Sequence, residues 1–148
     1  MSQIKCSRRI TATKTQVFDY MLSPENWPDL LRQDIEVEVK VAPEDLKEGN
    51  VYKLNMTRFG FSQPVELNIL NCINKSSVTY KQTHGLFSRW VHTQTFEDLE
   101  GGETLVTDIV EYQLPLGLLG YLLDDLLIRQ DMKNILERRL DTVVSHFS

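Results

Sequence analysis

The last third of the chain, Leu114 to Phe147, constrains the fold most because it carries the longest helical pattern in the sequence. No Gly or Pro follows Gly120. The apolar residues occupy two faces at helical spacing, offset by about a quarter-turn at ~100° per residue. The pattern predicts a leucine-rich first part, a bend or break near Leu127–Arg129, and an amphipathic second part that must pack on another element. The first face comprises Leu118, Leu119, Leu122, Leu123, Leu126 and Leu127, and the second comprises Ile128, Met132, Ile135, Leu136, Leu140, Val143 and Phe147.

The segments before this helix alternate apolar and polar residues in the manner of β-strands. A strand at Gln3–Thr11 comes first. Thr13–Gln16 then predicts the capping box of a short helix, and Ser23 predicts the N-cap of a second short helix that ends at about Leu31. Short turns join the later strands, which are therefore antiparallel neighbours. These strands are predicted at residues 35–41, 51–59, 64–73, 78–82, 88–99 and 103–114.

This order of elements predicts an α+β fold with an antiparallel sheet of about six to seven strands, two short helices after the first strand, and one long C-terminal helix. A sheet of this size curls because its strands twist. The apolar face of the terminal helix is the natural cover for the concave side of the sheet. Where a curved sheet and a helix do not quite touch, an apolar cavity remains.

Composition and charge limit the classes of function. The chain has 148 residues, of which 41% are hydrophobic and 25% charged, as expected for one globular domain spanning residues 1–148. The net charge of −5 argues against nucleic acid as the main partner, because phosphate binding requires a basic surface. Cys6 and Cys72 lack metal-ligand spacing. A single disulfide between them is one alternative, but with no signal peptide visible, two thiols in a reducing cytoplasm are the simpler interpretation.

No transmembrane segment is expected. The leucine-rich run from Leu114 to Leu127 is too short to span a bilayer, and it contains Asp124 and Asp125. Some of its leucines are nevertheless in excess of what one buried helix face needs. Four interpretations of this run are open. Its leucines are exposed at a cavity entrance, form a dimer contact, lie on a membrane surface, or belong to a helix that is buried on two sides.

A polar set is predicted on two neighbouring strands. The two-residue period places Trp90, His92, Gln94 and Phe96 on one face of their strand. If Glu100–Gly102 forms a three-residue loop, the next strand pairs with this one in a fixed register, and the polar side chains share a face within diagonal reach. The predicted cross-strand pairs are Gln94 with Asp108, His92 with Val110, and Trp90 with Tyr112.

The polar set allows several interpretations. His92 and Asp108 form a proton-transfer pair, or they orient the polar head of a ligand in an apolar cavity. Alternatively, His92, Gln94 and Asp108 satisfy one another inside the sheet, or their face looks to solvent. No metal site and no cofactor are predicted, because the histidines at 84, 92 and 146 are scattered and no H-x-H, C-x-x-C or phosphate-loop motif is present. No motif marks a nucleophile.

Two segments resemble the motifs of a known superfamily. Residues 85–96 (GLFSRWVHTQTF) resemble G-P-F-x-x-W-x-H-x-H-x-F, and residues 104–117 (TLVTDIVEYQLPLG) resemble T-x-x-x-D-x-V-x-Y-x-L-P-x-G. Both patterns are typical of a bacterial ligand-binding subgroup of the START-like helix-grip (SRPBCC, polyketide cyclase-like) superfamily. Gln82 matches the apolar-acidic-Gln strand of that subgroup. Leu86 stands where the motif has proline, and Gln94 stands where it has a second histidine.

The resemblance implies a helix-grip fold with a binding cavity, but not one function, because the superfamily includes binders, cyclases and transfer proteins. The first interpretation is binding or sequestration of a small hydrophobic or amphipathic molecule, such as a lipid. The second is a cyclase/aromatase-like enzyme that uses His92 and Asp108 as acid and base. The third is a protein-interaction module with a filled core, acting through Leu116–Leu127, which also offers a homodimer contact.

The candidate ligand-binding residues combine the polar set with residues expected to line a cavity. Plain core packing is the alternative for each apolar member. The candidates are Tyr52, Leu54, Met56, Tyr80, Gln82, Trp90, His92, Gln94, Phe96, Asp108, Tyr112, Met132 and Leu136. Leu140 and Val143 extend the helix side of this set, and Trp27, Leu30, Leu31, Phe59 and Phe61 are expected around the mouth.

Overall fold

The computed structural model describes residues 2–115 and 127–148. Within these ranges, seven strands and a long final helix follow the predicted order. No helix in these ranges is long and apolar enough to cross a membrane. The elements are β1 (Ser2–Ile10), α1 (Lys14–Leu22), a 3-10 helix (Pro24–Asn26), α2 (Trp27–Leu31), β2 (Glu36–Val41), β3 (Val51–Arg58), β4 (Phe61–Ile73), β5 (Ser77–His84), β6 (Arg89–Leu99), a 3-10 turn (Glu100–Gly102), β7 (Glu103–Gln113) and α3 (Arg129–His146).

The strands of the described part form one seven-stranded sheet in the order β1-β7-β6-β5-β4-β3-β2, and every neighbouring pair is antiparallel. From β2 to β7 each strand pairs with the next one along the chain, whereas β1 pairs with β7. The helix α3 packs against β1 and α2. The predicted α+β helix-grip architecture, a curved antiparallel sheet with a long C-terminal helix, is confirmed.

The helix α1 begins with the predicted capping box. The Gln16 amide donates to Thr13 Oγ1 at 3.2 Å, and the Thr13 amide donates to Gln16 Oε1 at 3.0 Å. These two hydrogen bonds satisfy amides that the first turn of a helix leaves without partners. The capping box fixes where α1 begins, so that Val17, Phe18 and Met21 enter the core.

The second short helix begins differently from the prediction. The Ser23 hydroxyl does not cap a backbone amide but donates to Glu25 Oε1 at 2.9 Å. The physical reason is that residues 24–26 form a 3-10 turn, in which the Asn26 amide already donates to the Ser23 carbonyl at 3.0 Å. The helix α2 then starts at Trp27, whose Nε1 donates to the Met21 carbonyl at 2.9 Å. This bond joins α2 to the end of α1.

The β6–β7 hairpin has the predicted register. Gly101 and Gly102 have φ values of 80° and 75°, a left-handed conformation that glycine adopts without a steric penalty, and they let Glu100–Gly102 reverse the chain. The three predicted pairs, Gln94 with Asp108, His92 with Val110 and Trp90 with Tyr112, are all observed. The strand period therefore places the polar set on one face.

The helix α3 buries the second of the two predicted apolar faces. Ile135, Leu136, Leu140 and Val143 are buried, while Ile128, Met132 and Phe147 are partly buried and pack on the core. Leu127 and Ile128, directly before α3, have a π-helical backbone at the position of the predicted bend. The leucine-rich first part falls on residues 116–126, so the predicted interaction and homodimer surface lies outside the described residues, except for the exposed Leu127.

Candidate ligand-binding site

A cavity of about 770 Å³ lies between the sheet and α3. Strands β2 to β6 supply one wall and α3 the opposite wall, and α2 closes one side. The wall is mostly apolar, with a few polar side chains at defined points. Small-molecule sites in proteins have volumes of roughly 300–1,000 Å³ and this same mixture of surfaces. The polar or charged members of the wall include Arg58, Gln82, His92, Gln94, Asp131 and Arg139.

A buried ionic cluster joins α3 to the sheet beside the cavity. Asp108 on β7 is fully buried and accepts hydrogen bonds on both carboxylate oxygens. Its Oδ1 lies 3.0 Å from His92 Nε2, and its Oδ2 accepts from Arg139 Nη1 at 3.1 Å. His92 and Arg139 line the cavity, whereas Asp108 lies behind them. Because a carboxylate only accepts, Nε2 is the nitrogen of His92 that carries the proton in this contact.

The electrostatics of this cluster keep Asp108 ionised. Burial alone raises the pKa of a carboxyl group, but the charge of Arg139, together with the charge and hydrogen bond of His92, outweighs it and holds the pKa of Asp108 below its usual value. Cys6 lies directly opposite Asp108 on β1, where burial and then the nearby carboxylate raise the pKa of its thiol to about 12. Cys6 is therefore a neutral neighbour, and Arg139 is the cation that balances Asp108.

Two cavity-lining side chains near this cluster carry buried polar atoms without partners. Among the described residues, the Tyr80 hydroxyl and both polar atoms of the Gln94 side chain have no hydrogen bond. Gln94 is wholly buried and Tyr80 is 5% exposed. Gln94 lies directly opposite Asp108 between β6 and β7, and its side chain is among the groups that lower the pKa of Asp108. Burial raises the pKa of Tyr80 far above neutrality, so its hydroxyl stays protonated.

The mouth of the cavity carries exposed aromatic residues and a second ion pair. Phe59 and Phe61 flank Gly60 in the turn between β3 and β4, and they are 83% and 79% exposed. Phe59 has a φ of 53°, which is uncommon for a residue other than glycine. At the same end, Arg58 donates to both carboxylate oxygens of Asp131 on α3, at 2.5 and 2.8 Å. The five residues predicted around the mouth (Trp27, Leu30, Leu31, Phe59 and Phe61) all line the cavity.

The structure brings most of the candidate residues together on the cavity wall. Nine of the thirteen line it: Leu54, Met56, Tyr80, Gln82, Trp90, His92, Gln94, Met132 and Leu136.

The other four candidates, Tyr52, Phe96, Asp108 and Tyr112, do not line the cavity, and neither do Leu140 and Val143. Each is buried by its neighbours instead. The ring of Tyr52 packs on Trp27, with centroids 4.9 Å apart. Phe96 packs on Phe18 at 5.1 Å, and Tyr112 packs on Phe87 at 5.5 Å.

Arg139, which completes the buried cluster, was not among the residues predicted from the sequence. A signal was present in the sequence, because Arg139 follows Ile135 by four residues and precedes Val143 by four. It therefore falls on the apolar face of α3, where a charged side chain needs a partner in the core. Asp131 carries the same signal, four residues before Ile135, and its partner is Arg58.

Gly85 in the G-x-F segment has a local steric role. A Cβ on Gly85 would come within 2.4 Å of the Gln82 side chain. The Gln82 amide uses this space to reach the Phe87 carbonyl, to which Nε2 donates at 3.4 Å. The glycine therefore lets the loop between β5 and β6 close over Gln82 at the cavity wall.

The arrangement can bind and orient a ligand, and it contains one acid–base candidate. His92 lines the cavity and is held by an ionised carboxylate, which is how a histidine base is oriented in proteins. Among residues 2–115 and 127–148, no three His, Cys, Asp or Glu side chains are grouped so that they could hold a metal ion.

Comparisons with known proteins identify the fold. No family model and no curated protein matches the sequence. A START superfamily protein from Mycobacterium smegmatis has a similar structure, with 11% identity and a TM-score of 0.74 over 99% of each chain. Major latex-like protein 151 from Panax ginseng is 18% identical, with a TM-score of 0.67 over 99% of this chain and 97% of its own.

The third structure is the di-domain ARO/CYC StfQ of the steffimycin biosynthetic pathway, which is 12% identical with a TM-score of 0.75. The match covers 98% of this chain and 50% of StfQ. At these identities the likeness establishes the fold alone. The protein has the START-like helix-grip fold, as the resemblance in the two sequence motifs implies.

Proposed function

We propose that the protein binds a small apolar or amphipathic molecule in the cavity between the sheet and α3. The observation that carries this proposal is the cavity itself, which has a volume of about 770 Å³ and a mostly apolar wall. Each square ångström of apolar ligand surface removed from water contributes roughly 25 cal/mol, so the wall supplies affinity without shape-specific chemistry. Sequestration of the bound molecule from water is the function that follows.

The polar side chains give the bound molecule an orientation. His92 and Gln94 line the same part of the wall, on β6, and Asp108 fixes the ring of His92 from behind. The mouth of the cavity carries the aromatic rings of Phe59 and Phe61, and the charges of Arg58 and Asp131 there neutralise each other. An amphipathic molecule matches both ends when its polar group lies against β6 and its apolar part extends toward Phe59.

Fluorescence titration with N-phenyl-1-naphthylamine, a neutral probe that brightens in apolar surroundings, tests the proposal. We expect saturable binding of one probe per chain. Met56→Trp and Met132→Trp fill the cavity from opposite walls, so each is expected to weaken binding by about tenfold or more. Leu70→Trp is the matched control, because Leu70 is exposed on β4 and does not line the cavity.

Melting curves establish that each variant is folded before its titration is interpreted. Folded wild-type protein that shows no saturable binding would contradict the proposal. So would folded Met56→Trp and Met132→Trp proteins that bind the probe as tightly as the Leu70→Trp control.

A cyclase-like enzyme is the second candidate, favoured by the 3.0 Å contact between Asp108 and a cavity-lining His92. In that case the ionised Asp108 orients the imidazole, and His92 transfers the proton. The expected signature is conversion of a bound compound that stops in His92→Ala while probe binding and the melting temperature are retained. Unchanged compound in the wild-type protein, detected by mass spectrometry after incubation, contradicts this candidate.

A further inference from the structure

We infer that the molecule held in this cavity carries a neutral hydroxyl group, which lies against Tyr80 and Gln94. The inference rests on the proposed function and adds the chemical class of the ligand. Its basis is the cluster of unpartnered polar atoms beside the polar end of the cavity. Among the described residues, five buried side-chain atoms lack hydrogen bonds, and three of them belong to Tyr80 and Gln94.

The two residues lie close together on the sheet. His92 is the direct partner of Tyr80 between β5 and β6, and Gln94 is two residues further along β6. Tyr80 and Gln94 are therefore diagonal neighbours on one face, a separation that long side chains bridge. Both line the same cavity. Leaving a buried polar atom unpaired destabilises a folded protein, so unpaired atoms on residues that line a cavity indicate a polar group of a ligand.

The hydrogen-bond donor and acceptor roles of the unpartnered atoms define which polar group of a ligand would be complementary to them. Gln94 lies directly opposite Asp108 between β6 and β7, and a carboxylate only accepts, so the amide nitrogen of Gln94 is the end placed toward Asp108 and the carbonyl oxygen is left to accept from a ligand. Tyr80 keeps its proton and can donate as well as accept. A hydroxyl group donates to Gln94 and accepts from Tyr80, whereas a ketone or an ether can only accept.

The charges around the cavity favour a neutral ligand over an anion. Among the described residues, the arginines that line the cavity are Arg58 and Arg139, and each is already paired with an aspartate. A carboxylate at this position would meet the Gln94 carbonyl oxygen and the nearby Asp108 without a free cation. Bringing an anion into a buried site without a partner charge is unfavourable.

Four naphthalene derivatives test the inference by displacing N-phenyl-1-naphthylamine from the 148-residue chain. 2-Naphthol donates and accepts, 2-methoxynaphthalene accepts only, 2-methylnaphthalene does neither, and 2-naphthoate is an anion. We expect 2-naphthol to bind about tenfold more tightly than 2-methylnaphthalene, the effect of one to two hydrogen bonds. 2-Methoxynaphthalene should fall between these two, and 2-naphthoate should bind most weakly.

The variants Tyr80→Phe and Gln94→Met test whether these two residues cause the preference for 2-naphthol over 2-methylnaphthalene. Each is expected to reduce the preference for 2-naphthol by about fivefold while 2-methylnaphthalene binds as before. Tyr80→Phe should also leave the melting temperature of the ligand-free protein unchanged or higher, because it removes an unpaired buried hydroxyl. A purely structural hydroxyl would give the opposite shift. Tyr20→Phe is the control, since Tyr20 stacks on His146 and does not line the cavity.

The outcomes separate this inference from the proposed function. If the naphthol displaces the probe no better than 2-methylnaphthalene, or if 2-naphthoate binds most tightly, the hydroxyl inference is overturned while the cavity remains a binding site. The inference is also wrong if both variants keep the full preference. If the probe itself does not bind, the proposed function fails.

Discussion

In the described part of the chain, three Arg–Asp pairs connect α3 to the sheet, and the two whose arginine lines the cavity differ in burial. The pair of Arg139 and Asp108 lies in the interior, with side chains 9% and 0% exposed. The pair of Arg58 and Asp131 lies at the cavity mouth, with side chains 25% and 40% exposed. The mouth pair has the better geometry, because both carboxylate oxygens accept from Arg58. The comparison teaches that hydrogen-bond geometry alone does not rank ion pairs.

Exposure to solvent determines how much each ion pair contributes to the stability of the fold. Removing one partner of a buried pair leaves an uncompensated charge in the interior, whereas water replaces a lost partner at the surface. The buried pair therefore makes the fold depend on Asp108 and fixes the polar end of the cavity. We expect the mouth pair to be dispensable for folding, because its side chains are partly exposed to water.

Removing the buried carboxylate is the change expected to have the largest effect. Asp108→Asn keeps the shape of the side chain but leaves Arg139 without a counter-charge, so we expect the free energy of unfolding to fall by about 3 kcal/mol. Urea denaturation measures this. Glu111→Gln, the same chemical change on the same strand, is the control and should alter stability by less than about 0.5 kcal/mol.

A compensating substitution sharpens this result. Arg139→Met introduced into the Asp108→Asn protein removes the unpaired cation and should restore much of the lost stability. A double variant that is less stable than Asp108→Asn would show that Arg139 stabilises the fold by contacts other than its charge pair.

Acid should reduce the contribution of Asp108 to the free energy of unfolding. Its pKa is lower in the folded protein than the usual value of about 3.9, so the carboxylate stabilises the fold above roughly pH 4. That contribution is lost as the pH falls through the lowered folded-state pKa, because the folded protein must then take up a proton. The difference in unfolding free energy between wild type and Asp108→Asn should therefore shrink below about pH 4. A difference that grows in acid would show that the pKa of Asp108 is raised instead.

Breaking the mouth pair should have the smallest effect. Arg58→Met and Asp131→Asn are each expected to change the unfolding free energy by less than about 1 kcal/mol, since the pair is partly exposed. A double-mutant cycle gives the coupling energy directly. A coupling above about 2 kcal/mol would remove the contrast between the two pairs.

The sequence predicted the sheet well because local periodicity determines it. The two-residue alternation and the loop at Glu100–Gly102 were enough to give the β6–β7 register, including Gln94 opposite Asp108. The capping box at Thr13 and the apolar face of α3 followed from equally local rules.

The site was predicted less completely because it depends on contacts between distant segments. Arg139 reaches Asp108 from 31 positions away. Asp108 appeared to share the cavity face with His92, but the side chains of His92 and Arg139 separate it from the cavity. Burial of Tyr52 against Trp27 likewise required the position of α2, which strand alternation does not give. The Ser23 hydroxyl followed the 3-10 turn rather than its own preference for capping.

The most direct test of a ligand site in the cavity is native mass spectrometry of the protein purified without detergent, before and after incubation with N-phenyl-1-naphthylamine. We expect one small molecule per chain, either carried through purification or supplied by the probe, and a markedly lower occupancy in the folded Met132→Trp variant. Spectra that show only the bare chain for the wild-type protein, both before and after incubation, would contradict a ligand site in the cavity.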